Sequence, residues 1–292
     1  MSQTAPLRGR AEAEAARLPP LLARAEHLAG AVLLGEHGRR RAGLGDDFWQ
    51  YRPVMPGDER RHIDWRRSAR SDSQFVRQQE WKISQSVMLW VDAAASMRFA
   101  SDAALPEKSD RARLLALATA ILLIRGGERV GMTGGTMPPR RGQPQVMRLA
   151  EALTQGSDED YASPDIRGLS THGRALFISD FLGDTSAVRA SLTAAADRGV
   201  QGILMQVLDP AEETFPFRGR TIFESVGGTL AHETLKAGAL QARYLERLAA
   251  RKDELAGLCL ATGWQYQCHH THISPQSALL WLYRAFDRGR VI

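Results

Sequence analysis

Apolar and polar positions divide the chain into three textures. Between residues 18 and 32, Leu18, Leu21, Leu22, Ala25, Leu28, Ala29 and Val32 recur at spacings of three and four around Pro19-Pro20. That pattern predicts one amphipathic helix starting near the prolines, behind a loose tail. From 36 to 80 the chain is crowded with Arg, Asp, Gly and aromatic residues, and its apolar positions fit neither a helical nor a strand period. Such a segment folds only if something holds it. From Ser86 onward, short continuous apolar runs alternate with helical patterns. Val87-Met88-Leu89-Trp90-Val91 and Ala175-Leu176-Phe177-Ile178-Ser179 have the texture of strands covered on both faces, and each ends in an aspartate, Asp92 and Asp180.

The elements expected between and after these runs follow the same logic. A helix is predicted from about Lys108 to Arg125, with Leu114, Leu115, Leu117, Ala118, Ile121 and Leu122 forming a wide apolar face and Gly126-Gly127 closing it. A strand near Arg129 to Thr133, a Gly/Pro-rich turn from Gly134 to Pro144 and a helix around Gln145 to Thr154 come next. A helix to Arg198 and a strand from Gly202 to Leu208, stopped by Asp209-Pro210, follow the second buried run. The tail predicts a strand near Arg220 to Ser225, a helix from about Glu233 to Thr262, a strand at Trp264 to Cys268 and a last helix from Pro275 to Arg288. Strands alternating with helices imply an α/β fold with a doubly wound, mostly parallel sheet of Rossmann type, carrying an irregular N-terminal extension. The expected organisation is a tail and amphipathic helix over 1–35, a distinctive segment over 36–80, and the α/β domain over 81–292.

Composition narrows the function classes. The chain has 292 residues with 43% hydrophobic and 24% charged positions, enough to bury a sizeable core, so disorder is excluded as its main state. Lys plus Arg number 38 against 33 for Asp plus Glu, and a surplus of +5 is weak support for a polyanion partner. The longest apolar stretch, Leu114 to Ile124, falls short of the roughly 18 to 20 residues of a membrane span, and no apolar run follows the basic residues near the start. The two cysteines, Cys259 and Cys268, are too few for a disulfide scaffold and are read as free thiols in a reducing compartment. A soluble cytoplasmic protein with no membrane span is expected.

In an open parallel sheet, function collects at the carboxyl ends of the strands. Asp92 with Ser96 after one strand, and Asp180 after another, supply oxygen ligands of the kind a hard cation such as Mg²⁺ prefers. The spacing Asp92-Ala93-Ala94-Ala95-Ser96 resembles the metal-ion-dependent adhesion motif D-x-S-x-S of von Willebrand factor A domains, with Ala94 replacing one ligand hydroxyl. Ser163 is the candidate for the motif's distal hydroxyl. The competing reading is that Asp92 and Asp180 only cap helices and bind loop amides.

The segment Arg39–Glu80 is the most distinctive. Its order G-x-G-x-D-F, Y-R, P-G-D, R-x-I-D-W, S-A-R, V-R, leading into an apolar strand that ends in Asp, closely resembles the bacterial domain of unknown function 58 family. The pairs Ser179-Asp180 and Asp209-Pro210 fall where that family places them. The resemblance implies a von Willebrand factor A-like domain behind the signature and work beside a MoxR-type AAA+ ATPase. Many relatives carry two membrane helices before the signature, whereas this chain is expected to be a short cytoplasmic form.

Read from its residues, the signature is an ion-pair lattice. Arg52, Arg61, Arg66 and Arg70 lie among Asp47, Asp58, Asp64 and Asp72, and guanidinium groups bind carboxylates bidentately. Phe48, Trp49, Tyr51, Ile63 and Trp65 are the expected apolar anchors of a strip packed on the sheet domain, either a structural clasp or a partner-facing surface. The strip's aromatics and arginines also suggest a nucleic-acid groove, but eight acidic residues between Glu36 and Glu80 argue against it.

Other chemistry is weakly signalled. Cys268-His269-His270-Thr271-His272 offers soft-metal ligands, yet strand neighbours point to opposite faces and no second ligand pair has zinc-site spacing. Gly43-Leu44-Gly45 and Thr133-Gly134-Gly135-Thr136 lack the context of a phosphate-binding loop, and G-x-S-x-G is absent. The expectation is a non-enzymatic adaptor, with nucleic-acid binding and metal-dependent hydrolysis as the alternatives.

Overall fold

The computed structural model describes residues 20–36, 48–55, 63–70, 73–79, 85–134, 137–219, 221–224, 231–234 and 237–288, and every statement below concerns these. The chain divides into two units, Glu36–Ser84 and the rest.

The larger unit is a mixed α/β structure. Helix α1 (Pro20–Glu36) belongs to it, and in the smaller unit β1 (Phe48–Pro53) pairs antiparallel with β2 (Phe75–Gln79) around the one-turn helix α2 (Trp65–Ser68). The larger unit continues with β3 (Ser86–Val91), α3 (Lys108–Arg125), β4 (Arg129–Met132), β5 (Met137–Arg140), α4 (Gln143–Leu153), β6 (Arg174–Ser179), α5 (Thr185–Ala196) and β7 (Gln201–Leu208). It ends with α6 (Pro210–Thr214), the hairpin β8 (Thr221–Glu224) and β9 (Ala231–Thr234), α7 (Gln241–Thr262), β10 (Gln265–His270) and α8 (Pro275–Arg288). Six strands form one sheet in the order β10-β7-β6-β3-β4-β5, parallel except for β5 against β4.

Strand alternation builds two cores, because successive side chains point to opposite faces. Val87 and Leu89 of β3, Leu176 and Ile178 of β6, and Ile203, Met205 and Val207 of β7 pack with α1, α3, α4 and α8. Met88, Trp90, Ala175, Phe177 and Leu204 pack on the other face with α5 and α7. Trp264 closes that second core: its indole lies 4.9 Å from the Phe177 ring, its Nε1 donates to the Val200 carbonyl at 3.1 Å, and its six-membered ring covers Gly202. A Cβ at position 202 would meet that ring at 2.6 Å, so only glycine fits there.

Three local expectations change. The Gly/Pro-rich turn contains β5, an edge strand bearing Pro138 and Pro139, which suits an edge because proline cannot donate to a ladder. The helix expected from Glu233 starts at Gln241, with Glu233 and Thr234 in β9 and Ala237–Ala239 forming a 3-10 turn. The early amphipathic helix is not a separate tail element, since Leu22, Ala25, Leu28, Ala29 and Val32 enter the first core. No helix among the described residues is long and apolar enough to cross a membrane.

Candidate functional site

The sheet order sets β7, β6 and β3 side by side, so Asp209, Asp180 and Asp92 stand together at its carboxyl edge. Each is tied down by the loop it begins. Asp92 Oδ1 accepts from the Ala94 amide at 2.8 Å, and Oδ2 accepts from the Ser179 hydroxyl at 2.6 Å. Asp180 Oδ1 accepts from the Leu182 amide at 3.0 Å. Asp209 receives the Ala211 amide at 2.8 Å and the Ser101 amide at 3.0 Å, and caps α6 in a reciprocal box with Glu212. Phe181, next to Asp180, is a buried aromatic held at φ of 50°, where bulky side chains rarely sit. The Ser179 hydroxyl accepts its amide, and Arg251 Nη1 donates to its carbonyl at 2.8 Å, so its neighbours impose that conformation.

The cation at this edge is a side chain of the protein. Lys108, in the first turn of α3, is 1% exposed, and its Nζ donates to Asp180 Oδ2 at 2.8 Å and to Glu212 Oε1 at 2.6 Å. It also lies 5.7 Å from the centre of the Phe99 ring. Burial works against the ammonium, but the two adjoining carboxylates outweigh it and hold its proton more firmly than that of an ordinary lysine. Burial lifts Glu212 above the usual carboxylate range despite Lys108. Burial also pushes Asp92 up to about 6, against the hydrogen bonds from Ser179 and Ala94. Tyr161, half exposed, has its phenol raised by burial and by the charge of Asp180.

Asp92, Ser96 and Asp180 are the expected ligands of a magnesium ion, and the fold does gather their strand ends. The Ser96 hydroxyl is buried without a hydrogen-bond partner, as a waiting ligand would be. The other donors do not fit a divalent ion as they stand. Both Asp92 oxygens already accept hydrogen bonds, and the Asp180 oxygen not used by Leu182 carries the Lys108 ammonium. A second positive centre there would repel the first at short range. Ser163, the expected distal hydroxyl, is exposed. Instead the carbonyls of Glu159 and Asp160 accept the amides of Ala95 and Ser96 at 2.7 and 3.0 Å, fixing the turn after β3.

Within the smaller unit, Asp64 caps α2, its Oδ1 accepting the Arg67 amide at 3.0 Å. The Ser68 hydroxyl donates to the Asp64 carbonyl at 2.8 Å and accepts the Phe75 amide at 2.9 Å, joining α2 to β2. Ile63 is buried, but Trp65, expected as an apolar anchor, is 55% exposed at the start of α2. Arg70 is exposed, and Arg52 is paired with Val76 in the β1–β2 hairpin. Asp47, Asp58 and Arg61 lie outside the described residues.

Lys108 and Glu212 were not singled out in the sequence. Asp209-Pro210-Ala211-Glu212 is a readable capping pattern, whereas nothing around Lys108 announces a buried ammonium. The Cys268 to His272 run obeys strand alternation in an unexpected way. Buried His269 faces Arg111, whose Nη1 lies 2.8 Å from its Nε2, and burial with that neighbouring charge lowers the imidazole to about 3. Cys268 and His270 share the other face and meet Glu213 of α6.

Comparison with known proteins adds the family. The uncharacterized protein Rv1480 of Mycobacterium tuberculosis (strain ATCC 25618 / H37Rv) is 30% identical over 240 residues, 77% of this chain and 74% of that protein. The uncharacterized protein Mb1516 of Mycobacterium bovis matches equally. Among solved structures, BatB of Bacteroides thetaiotaomicron has a TM-score of 0.37 at 14% identity, covering 70% of this chain and 100% of that one. An aerotolerance-related membrane protein of Bacteroides fragilis has a TM-score of 0.38 at 16% identity with the same coverage. The model of the family described as "Protein of unknown function DUF58" matches residues 50–254, and the chain belongs to that family.

Proposed function

We propose that this chain is a non-enzymatic interaction protein of the cytoplasm, an adaptor beside a MoxR-type AAA+ ATPase in the assembly or maturation of another complex, with a sheet of von Willebrand factor A type. The observation that supports this reading is the carboxyl edge of the sheet. Its three strand-end aspartates are spent on holding loops, and its buried ammonium is bonded to both Asp180 and Glu212. Such an edge is a rigid platform rather than a set of free acids and bases. Half-exposed Tyr161, packed against Gly183 in the loop after Asp180, is the kind of anchored aromatic that dominates interfaces. On this reading the face binds by packing and hydrogen bonds, without a shared Mg²⁺.

The test is co-elution of the purified chain with a purified MoxR-type ATPase encoded in the same genome, with and without chelator and repeated with Tyr161→Ala. Association that is insensitive to chelator and weakened by the substitution is expected. Failure to associate refutes the proposal. Nucleic-acid binding that falls steeply with salt points to the first alternative, and hydrolysis of a phosphate or ester lost in both Asp92→Ala and Asp180→Ala points to the second.

A further inference from the structure

A second group of donors gathers around Glu213, the neighbour of Glu212 on α6. Cys268 and His270 are two residues apart on β10, so they share one face of the strand. Register pairs His270 with Leu208 at the end of β7, and the chain turns there through Asp209 into α6, which carries Glu213. One ligand atom from each of Glu213, Cys268 and His270 lies within 4.8 Å of the other two, and all three side chains are partly buried. Glu213 Oε2 already lies 3.0 Å from His270 Nε2.

We propose that Glu213, Cys268 and His270 form a binding site for a thiophilic divalent metal ion, Zn²⁺ by the chemistry of its donors. One sulfur, one imidazole nitrogen and one carboxylate oxygen make three of the four positions of a tetrahedral site, in which donors stand roughly 3.3 to 3.6 Å apart. Small side-chain rotations bring the present donors to that spacing. A thiolate and a carboxylate together balance the charge of the ion. The fourth position falls to water or to exposed His272, whose ring centre is 5.7 Å from that of His270. Sulfur and nitrogen donors select against Mg²⁺, which separates this site from the all-oxygen group at Asp92 and Asp180.

Lys252 supplies the second shell. Its Nζ contacts both oxygens of Glu213, at 2.6 and 2.5 Å, from the middle of α7. Lys252 differs from Lys108 in being 23% exposed rather than buried, so water screens its charge, and when one oxygen turns to the metal the other keeps the ammonium, as an outer partner orients a ligating carboxylate. The ion takes the place of the hydrogen bond that now joins His270 to Glu213.

The experiment is a titration of the whole, untagged, chelator-treated chain with Co²⁺, read by absorption, followed by displacement with Zn²⁺. The wild type should bind one equivalent with the intense visible bands of a tetrahedral ion and a near-ultraviolet thiolate-to-cobalt band, and Zn²⁺ should abolish both. The chain has two cysteines, so a thiolate band comes from Cys268 or from Cys259. Cys268→Ser should lose the band and weaken Zn²⁺ binding at least tenfold, as should His270→Ala, whereas Cys259→Ser should keep both signals. Circular dichroism confirms that each variant is folded. Absence of stoichiometric uptake by the wild type, a spectrum without the thiolate band, or a folded Cys268→Ser that binds like the wild type would each overturn the site and leave an ion-pair cluster around Glu213.

Discussion

Replacing Lys108 with methionine isolates the charge at the strand ends, because the side chain keeps its length and most of its apolar volume, a change that by itself costs below about 1.5 kcal/mol. Its loss strips the ammonium bonded to Asp180 Oδ2 and Glu212 Oε1, whose side chains are 1% and 14% exposed. Removing one partner of a buried pair costs roughly 3 to 5 kcal/mol, and two carboxylates are orphaned here, so a loss of about 4 kcal/mol is expected at pH 8. At about 2 to 4 °C per kcal/mol for a unit of this size, the melting temperature should fall by roughly 8 to 16 °C. The loss should depend on pH. Without the ammonium, nothing offsets the burial of Glu212, and its folded-state pKa, already raised, moves further above the unfolded one. The stability of its protonated form is then fully present below about 4 and is lost as pH rises through the folded value. Urea denaturation at pH 5 and pH 8 should therefore show a smaller deficit at pH 5. Lys108→Ser, which empties the same space, should be stabilised by Mg²⁺ or Mn²⁺, by about 2.7 kcal/mol at a hundredfold excess over its dissociation constant. A deficit below about 1 kcal/mol at both pH values, or a wild type that Mg²⁺ stabilises equally, refutes the argument that the ammonium is the site's own cation.

Three further outcomes follow from the same geometry. Asp92 is held at about 6, above its unfolded value, so its ionised form weakens the fold as pH rises from about 4 through 6. Asp92→Asn keeps an acceptor for the Ala94 amide and should gain up to about 2 kcal/mol at pH 8 with almost no change at pH 4, measured by urea midpoints. Gly202→Val drives a side chain into the Trp264 ring and should cost about 3 kcal/mol or more, with a change in near-ultraviolet circular dichroism. Trp65→Ala should alter stability by no more than about 1 kcal/mol in a melting curve, because the indole is 55% exposed.

The parts of the fold that were legible are those written as continuous or periodic apolar runs. Val87–Val91, Ala175–Ser179 and Gly202–Leu208 became the three central strands, and the Lys108–Arg125 pattern became α3 to the residue. What escaped was written in short or polar pieces. Met137-Pro138-Pro139-Arg140 reads as a turn because proline breaks interior strands, and only the presence of β4 beside it makes it an edge. The strand-end aspartates were readable as candidates, since an apolar strand followed by Asp marks the carboxyl edge of a parallel sheet. Their fate was not: Lys108 lies 72 residues from Asp180 and 104 from Glu212, and only the tertiary fold brings them together. For Cys268 and His270, alternation separates sequence neighbours but sets residues two apart on one face, so it favours the pair that the run from Cys268 to His272 hides. The third donor, Glu213, comes from a turn 57 residues before His270.

That turn explains why two chemically different groups stand at one end of the sheet. Asp209 caps α6 through the Ala211 amide, and Glu212 returns a hydrogen bond to the Asp209 amide at 2.8 Å, so the helix is locked at its first turn. Neighbouring residues on a helix point about 100° apart, so once Glu212 is fixed toward Lys108, Glu213 must face elsewhere. It faces β10 and α7, where His270 and Lys252 receive it. The capping aspartate is itself held by the Ser101 amide, in the loop that leads into α3. One turn of helix thus aims consecutive glutamates at two lysines from different helices, giving the first group only oxygen donors and the second an added sulfur and imidazole. A cation of the protein's own satisfies the hard group, and the softer group retains donors that an ammonium cannot use.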